Sequence, residues 1–126
     1  MIIVSTRQPG LRAGVRPLPA DATVVRLHGD IDIFTSPALR DLLIHALDQS
    51  TGALVCDLTD VVFCDSSGLA VLVGMQRRAR ARGIDFGVAS PRPYMVTLLH
   101  LTGLDRSLPL YGKATTLVPP PRRASI

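Results

Sequence analysis

The 126 residues carry 14 Lys and Arg side chains against 10 Asp and Glu, and 47% of them are hydrophobic. This length fits one domain of ordinary size and excludes a two-domain enzyme with a cleft between lobes, while the apolar fraction excludes a wholly disordered chain. With no run of about 18 apolar residues and no signal-peptide pattern, we expect a cytoplasmic protein with no membrane-spanning segment.

Both ends of the chain differ in composition from its middle. Residues 1–20 begin with an apolar stretch typical of an edge strand, and the glycines and prolines after it predict an irregular basic arm. Residues 119–126, rich in Pro and Arg, predict an extended tail. One domain is therefore expected between them, over residues 21–118.

Four strand patterns follow in this domain. Residues 23–28 are rich in β-branched side chains, which predicts a strand. Residues 53–58 form the short apolar run of a buried strand, and a turn is expected at Thr59-Asp60. Residues 84–89 and 108–111 predict the last two strands.

Helix patterns lie between these strands. Pro37 at a first helical position, followed by apolar residues at helical spacing, predicts a helix that continues to Asp48. Further helices are expected from Ser66 to about Arg82, from Pro93 to about Gly103, and as one turn over 113–118. The alternation predicts an α/β fold with a mostly parallel four- to five-stranded sheet and helices packed mainly on one face. It leaves the strand order open.

The segment Asp65-Ser66-Ser67-Gly68 stands where a buried strand ends and the second helix begins. As N-cap, Asp65 can accept hydrogen bonds from amides of the first turn, which lack partners within the helix. A phosphate on Ser66 or Ser67 adds about −1.5 to −2 charges at the positive end of the helix dipole, so the helix can hold it without unfolding. Gly68 allows another backbone to approach closely.

Two other interpretations of this segment remain. It is also the pattern of an ordinary helix cap with no further role. A small hydrolase could use Ser66 or Ser67 as its nucleophile, but Cys64 and Asp65 stand where the Gly-x-Ser-x-Gly elbow requires glycine, and no base is evident. The glycine patterns of phosphate-binding loops are absent from the sequence.

Cysteines, histidines and arginines give no clear pattern of a metal or nucleic-acid site. Cys56 and Cys64 lie in apolar runs and are expected to be buried hydrophobic residues, and the three histidines make no ligand pair at zinc spacing. The arginine-rich run 77–82 favours a solvated helix end. Residues 21–118 carry nine basic and ten acidic side chains, so the excess positive charge belongs to the flanks, and no direct nucleic-acid binding is expected.

The segments 27–32, 57–69 and 101–105, with Leu110-Tyr111 after them, resemble the STAS domain family, and in particular the bacterial anti-sigma factor antagonists. The resemblance implies a single STAS-like domain that is not an enzyme, needs no cofactor and does not bind membranes. It implies a partner, a serine-kinase anti-sigma factor of the GHKL ATPase type, which releases its sigma factor on binding. It also implies that this kinase phosphorylates Ser66 and that a PP2C-type phosphatase restores binding.

Matching the family's motifs residue by residue gives the candidate site. Ser66 is the expected phosphorylation site. Asp30 stands where the family usually has Glu, and Cys64 where it usually has an aliphatic residue. A stressosome-like scaffold and a small-ligand or nucleotide-binding module are the alternative functions for such a domain. The expected partner-binding residues are Asp30, Asp32, Thr35, Asp65, Ser66, Ser67, Gly68 and Leu69.

Overall fold

The computed structural model describes residues 2–5, 10–18 and 21–111, which form one six-stranded sheet with three α-helices. The strands lie side by side in chain order. They are β1 (Ile2–Ser5), β2 (Leu11–Leu18), β3 (Ala22–Ile31), β4 (Ala53–Cys64), β5 (Asp85–Ala89) and β6 (Leu110–Tyr111). The helices are α1 (Ser36–Asp48), α2 (Ser66–Ala81) and α3 (Pro93–Leu101), followed by a short 3-10 turn at Leu104–Arg106.

Strand direction explains why the helices share one face of the sheet. Strands β1, β2 and β3 pair antiparallel, whereas β3 to β6 pair parallel. Right-handed crossovers between parallel strands that advance in one direction put every crossover helix on the same face. The main core accordingly joins one face of the sheet to all three helices; among its residues are Leu27, Leu54 and Phe86 from the strands and Leu39, Leu72 and Met95 from the helices. The predicted α/β class and the one-sided helix packing are confirmed.

The N-terminal segment differs from its prediction. Residues 11–18, expected to be a loose loop, form β2 between β1 and β3, so the sheet has six strands rather than four or five. Leu11 and Ala13 are buried in the core while Arg12 is exposed, the alternation of a half-buried strand. Pro17 is tolerated because β1 pairs only as far along β2 as Val15.

Strand β4 also differs from its prediction, because Thr59 and Asp60 do not form a turn. The strand continues to Cys64, and its register against β3 shifts twice, leaving β4 with an extra residue each time. Such bulges keep a strand continuous while changing which way its side chains point. Around the second bulge, Val61 and Cys64 face the core, and Val62 and Phe63 are exposed.

The positions of the helices and the C-terminal residues can also be compared with their predictions. The three main helices lie where they were predicted, within a few residues at their ends. The expected helical turn at 113–118 and the tail at 119–126 lie outside the described residues. Within the described residues, none of the helices has the length and apolar character needed to cross a membrane.

Candidate functional site

Two loops meet at the carboxyl ends of β3 and β4. Ile31 is paired with Cys64 at the end of the parallel ladder, and the backbone N–H of Asp65 donates to the Ile31 carbonyl oxygen at 3.1 Å. The loop from β3 to α1 and the start of α2 therefore lie side by side. In open α/β sheets this is the edge where binding sites form.

Side-chain hydrogen bonds fix the loop between β3 and α1. Asp32 Oδ1 accepts from the backbone N–H groups of Phe34 at 2.9 Å and Thr35 at 3.0 Å. The Thr35 hydroxyl donates to the Asp30 carbonyl oxygen at 2.9 Å and accepts from the Asp32 N–H at 2.9 Å. Because Thr35 is buried, these bonds hold the loop in one shape and leave Ile33 and Phe34 exposed at its tip.

Helix α2 begins as the sequence predicts. Asp65 is its N-cap, and Asp65 Oδ1 accepts from the backbone N–H groups of Ser67 at 2.8 Å and Gly68 at 3.4 Å. Ser66 is exposed, and its hydroxyl makes no hydrogen bond with the described residues, while Ser67 is half-buried. The helix cap is thus confirmed, and it leaves the Ser66 hydroxyl open to another protein.

Gly68 brings the first turn of α2 onto the two strands. A Cβ atom there would lie 2.5 Å from Cys64 Sγ and 2.5 Å from Ile31 Cγ2, well inside van der Waals contact. The close approach is therefore to the chain's own β3 and β4. It sets how far Ser66 stands above the end of the sheet.

Exposed apolar side chains surround this edge. Ile33 and Phe34 come from the β3–α1 loop, Val62 and Phe63 from the end of β4, and Tyr94 from the first turn of α3. Their exposed fractions run from 37% for Tyr94 to 74% for Phe34. We call these five residues the apolar rim. A grouping of exposed apolar side chains of this kind marks an interaction surface.

Burial raises the pKa of the neighbouring thiol and phenol groups. Burial, together with the nearby Asp65 carboxylate, raises the pKa of Cys64 to about 12. Burial raises the pKa of the Tyr94 phenol as well. Cys56 is likewise buried, with its pKa raised by burial to about 12. Both cysteines are thus the buried hydrophobic residues that the sequence predicts, and neither is a thiolate nucleophile at neutral pH.

An ionic cluster lies further back along the same two strands. Arg26 Nε donates to Asp60 Oδ2 at 2.8 Å, and His28 Nδ1 lies 3.7 Å from the same oxygen. The hydrogen bond from Arg26 lowers the pKa of Asp60. Among the described residues, no three His, Cys, Asp or Glu side chains come together in a way that could hold a metal ion.

Comparison with known proteins places this architecture in a family. The family model described as "Mlab, STAS domain" matches residues 16–118, most of the chain. The chain belongs to the STAS domain family. The match covers strands β3 to β6, the end of β2 and all three helices, including both loops of the candidate site.

The STAS domain has curated relatives that are named as regulators of anti-sigma factors. It is 29% identical over 90 residues to the anti-sigma-B factor antagonist of Bacillus subtilis. This alignment covers 71% of this chain and 82% of the relative. It is 32% identical over 89 residues to the anti-sigma F factor antagonist of Paenibacillus polymyxa. This alignment covers 70% of this chain and 76% of the relative.

Solved structures show the same fold. An anti-sigma factor antagonist from Mycobacterium paratuberculosis aligns with a TM-score of 0.73 and 34% identity, over 82% of this chain and 88% of the other. The antagonist SpoIIAA in its unphosphorylated form aligns with a TM-score of 0.66 and 20% identity, over 79% of this chain and 87% of the other. The second likeness shows the fold alone.

The STAS fold brings the predicted site residues to one edge but exposes them unequally. Ser66 is exposed, and the side chains of the predicted partner-binding residues Asp30, Asp32, Asp65 and Ser67 are half-buried there. The other three, Thr35, Gly68 and Leu69, are buried. These buried residues shape the loop and the helix start, and a contact between them and a partner stays a prediction.

The apolar rim was not predicted from the sequence. The sequence did contain one sign of this surface. Apolar residues occupy positions where polar residues are usual, such as Ile33 and Phe34 in the turn directly before a helix. Val62 and Phe63 were hidden because they sit in an apolar run, and only the bulges of β4 turn them outward.

Proposed function

We propose that this STAS domain is an anti-sigma factor antagonist. It binds a serine-kinase anti-sigma factor of the GHKL ATPase type in the cytoplasm, the kinase releases its sigma factor, and phosphorylation of Ser66 ends the binding. The proposal rests on the relatives named as antagonists and on one observation above all. Ser66 is exposed at the first position of α2, beside the apolar rim.

The apolar rim supports a protein partner rather than a small substrate. Its side chains project from three separate elements, so they form a surface around Ser66 and not an enclosed pocket. Burial of such side chains against a partner supplies the main driving force for association. In this proposal the domain is a substrate of the kinase, is not itself an enzyme, and needs no cofactor.

A phosphate on Ser66 acts on the partner more than on the fold. The amide groups at the start of α2 and the helix dipole favour an anion there, so the domain stays folded. The same phosphate adds about −1.5 to −2 charges beside Asp30, Asp32 and Asp65. Like-charge contacts in an interface cost several kcal/mol, and each ~1.4 kcal/mol is tenfold in affinity. The exposure of Ser66 also lets a PP2C-type phosphatase remove the group.

Binding measurements on three variants test this proposal. The serine-kinase anti-sigma factor is titrated by calorimetry with Ser66→Ala, Ser66→Asp and the control Thr51→Asp, whose new charge lies on an exposed turn at the opposite edge of the sheet. We expect Ser66→Ala and Thr51→Asp to bind like the wild type and Ser66→Asp to bind at least about tenfold more weakly.

Two results would contradict the proposal. One is a Ser66→Asp variant that binds as tightly as the wild type. The other is a wild-type domain that ignores the kinase and assembles into a large particle on size-exclusion chromatography, which would favour a scaffold instead.

A further inference from the structure

A groove with an apolar floor lies between α1 and α2. Met75 is buried and Val71 is half-buried along it, and its volume is about 320 Å³. Ala70 and Gly74 are exposed on its α2 side. A Cβ atom at Gly74 would meet nothing within 4 Å, so the backbone of the helix is open to close approach from outside.

Two arginines flank this groove, Arg40 from α1 and Arg78 from α2. Both are exposed, and neither guanidinium forms an ion pair or hydrogen bond with the described part of the chain. Cations beside an apolar floor complement a segment that carries both apolar side chains and carboxylates. The basic flanks of this chain do not fit that description, because residues 1–20 and 119–126 contain arginines but no acidic side chain.

The groove continues the surface that surrounds Ser66. Ala70 follows Ser66 by four residues on α2, which is about 6 Å along the helix axis. Arg40 lies at the same depth on α1, four residues after the first residue of that helix. The groove therefore begins about one helical turn from the edge that carries the candidate site.

The apolar rim is too small to form a whole protein interface. Specific and stable interfaces use about 20–30 residues on each partner, whereas the rim has five. A partner that covers Ser66 must therefore contact further surface next to this edge. The groove supplies such a surface, because it is adjacent to Ser66 and is apolar along its floor.

We propose that an acidic amphipathic helix of the anti-sigma factor binds in this groove. The inference rests on the proposed function and extends its interface beyond the apolar rim. The apolar face of the partner helix packs on Val71 and Met75, and its backbone passes close to Gly74. Its Asp or Glu side chains pair with Arg40 on one side and Arg78 on the other.

Matched double variants of the full chain test this inference. The serine-kinase anti-sigma factor is titrated by calorimetry with Arg40→Ala/Arg78→Ala and with Arg77→Ala/Arg80→Ala. Both variants lose two positive charges, but Arg77 and Arg80 line a separate cavity between α2 and the turn after α3. We expect the first variant to bind at least about tenfold more weakly than the wild type, and the second to bind within about twofold of it.

A substitution that fills the groove tests its apolar floor separately. Gly74→Leu places a bulky side chain in the open space, and leucine is a better helix former than glycine. We expect urea unfolding to show that this variant is at least as stable as the wild type, while its affinity for the anti-sigma factor falls at least about tenfold. Weaker binding by a more stable variant cannot result from unfolding.

The outcomes separate this inference from the proposed function. If the wild type does not bind the anti-sigma factor, the proposed function is wrong and the inference with it. If Ser66→Asp weakens binding but the Arg40/Arg78 double variant and Gly74→Leu bind like the wild type, only the groove is overturned. Equal losses in the two double variants would also overturn it, because general charge attraction would then explain them.

Discussion

At the scale of single residues, Gly68 allows α2 to pack closely on β3 and β4 because it has a hydrogen atom in place of a methyl group. A methyl group there would collide with Cys64 Sγ and Ile31 Cγ2, both 2.5 Å from the added Cβ. We expect Gly68→Ala to lower the free energy of unfolding by about 1–3 kcal/mol, as overpacking of a core does. Urea unfolding followed by circular dichroism measures this loss.

Gly74 on the same helix provides the matched control. A Cβ at Gly74 meets nothing within 4 Å, and the residue is exposed in the interior of α2. Gly74→Ala should therefore raise the free energy of unfolding by about 0.5–1 kcal/mol, because alanine is the better helix former. If both substitutions shift stability in the same direction, the close approach at Gly68 does not have the role assigned to it.

At the scale of elements, the loop between β3 and α1 depends on the buried Thr35 hydroxyl. Thr35→Val keeps the shape of the side chain but leaves the Asp30 carbonyl oxygen and the Asp32 N–H without this partner. Loss of a buried hydrogen-bond partner costs about 1–3 kcal/mol. We expect this loss in urea unfolding together with weaker binding of the anti-sigma factor, and Thr35→Ser, which retains the hydroxyl, should preserve the binding.

Strands β3 and β4 are also joined by a pair whose strength depends on pH. The hydrogen bond from Arg26 lowers the pKa of Asp60 in the folded state below its value in the unfolded chain. The pair therefore stabilises the fold at pH values above the unfolded-state pKa of Asp60. This stabilisation is lost as the pH falls through the folded-state pKa. The contribution is less than about 1 kcal/mol because both side chains are partly exposed.

A double-mutant cycle measures this pH dependence. Asp60→Asn should lower the free energy of unfolding at about pH 7, and the difference from wild type should shrink below about pH 4. In an Arg26→Gln background the same substitution should show a smaller change with pH, because the main hydrogen-bond donor is gone and His28 alone remains beside the carboxylate. An equal pH dependence in both backgrounds would contradict the assignment.

At the scale of the whole molecule, we expect the apolar rim to be the surface that binds the partner. Phe34 and Leu101 have nearly equal exposed fractions, 74% and 76%, but only Phe34 lies in the rim. Phe34→Ala should weaken anti-sigma factor binding at least about tenfold, since aromatic anchors dominate such interfaces, and Leu101→Ala should leave it unchanged. Calorimetric titration decides between the two, and similar losses in both would contradict the role of the rim.

The sequence predicted those features that local patterns determine. The cap at Asp65, the start of α2 at Ser66 and the burial of both cysteines follow from neighbouring residues alone. Strand β2 was missed because Gly14 and Pro17 mask its alternation, and only pairing with both β1 and β3 makes that segment a strand. The outward turn of Phe63 was missed because it depends on bulges, which exist only once β3 and β4 pair.

Phosphorylation of Ser66 is expected to separate this domain from its partner. The domain is incubated with the serine-kinase anti-sigma factor and ATP, the phosphate is located by mass spectrometry, and the affinity of the purified phosphorylated form is measured. We expect one phosphate, on Ser66, and at least about tenfold weaker binding. A phosphate on Ser67 or another residue, or a phosphorylated form that binds as tightly as the unmodified domain, would contradict it.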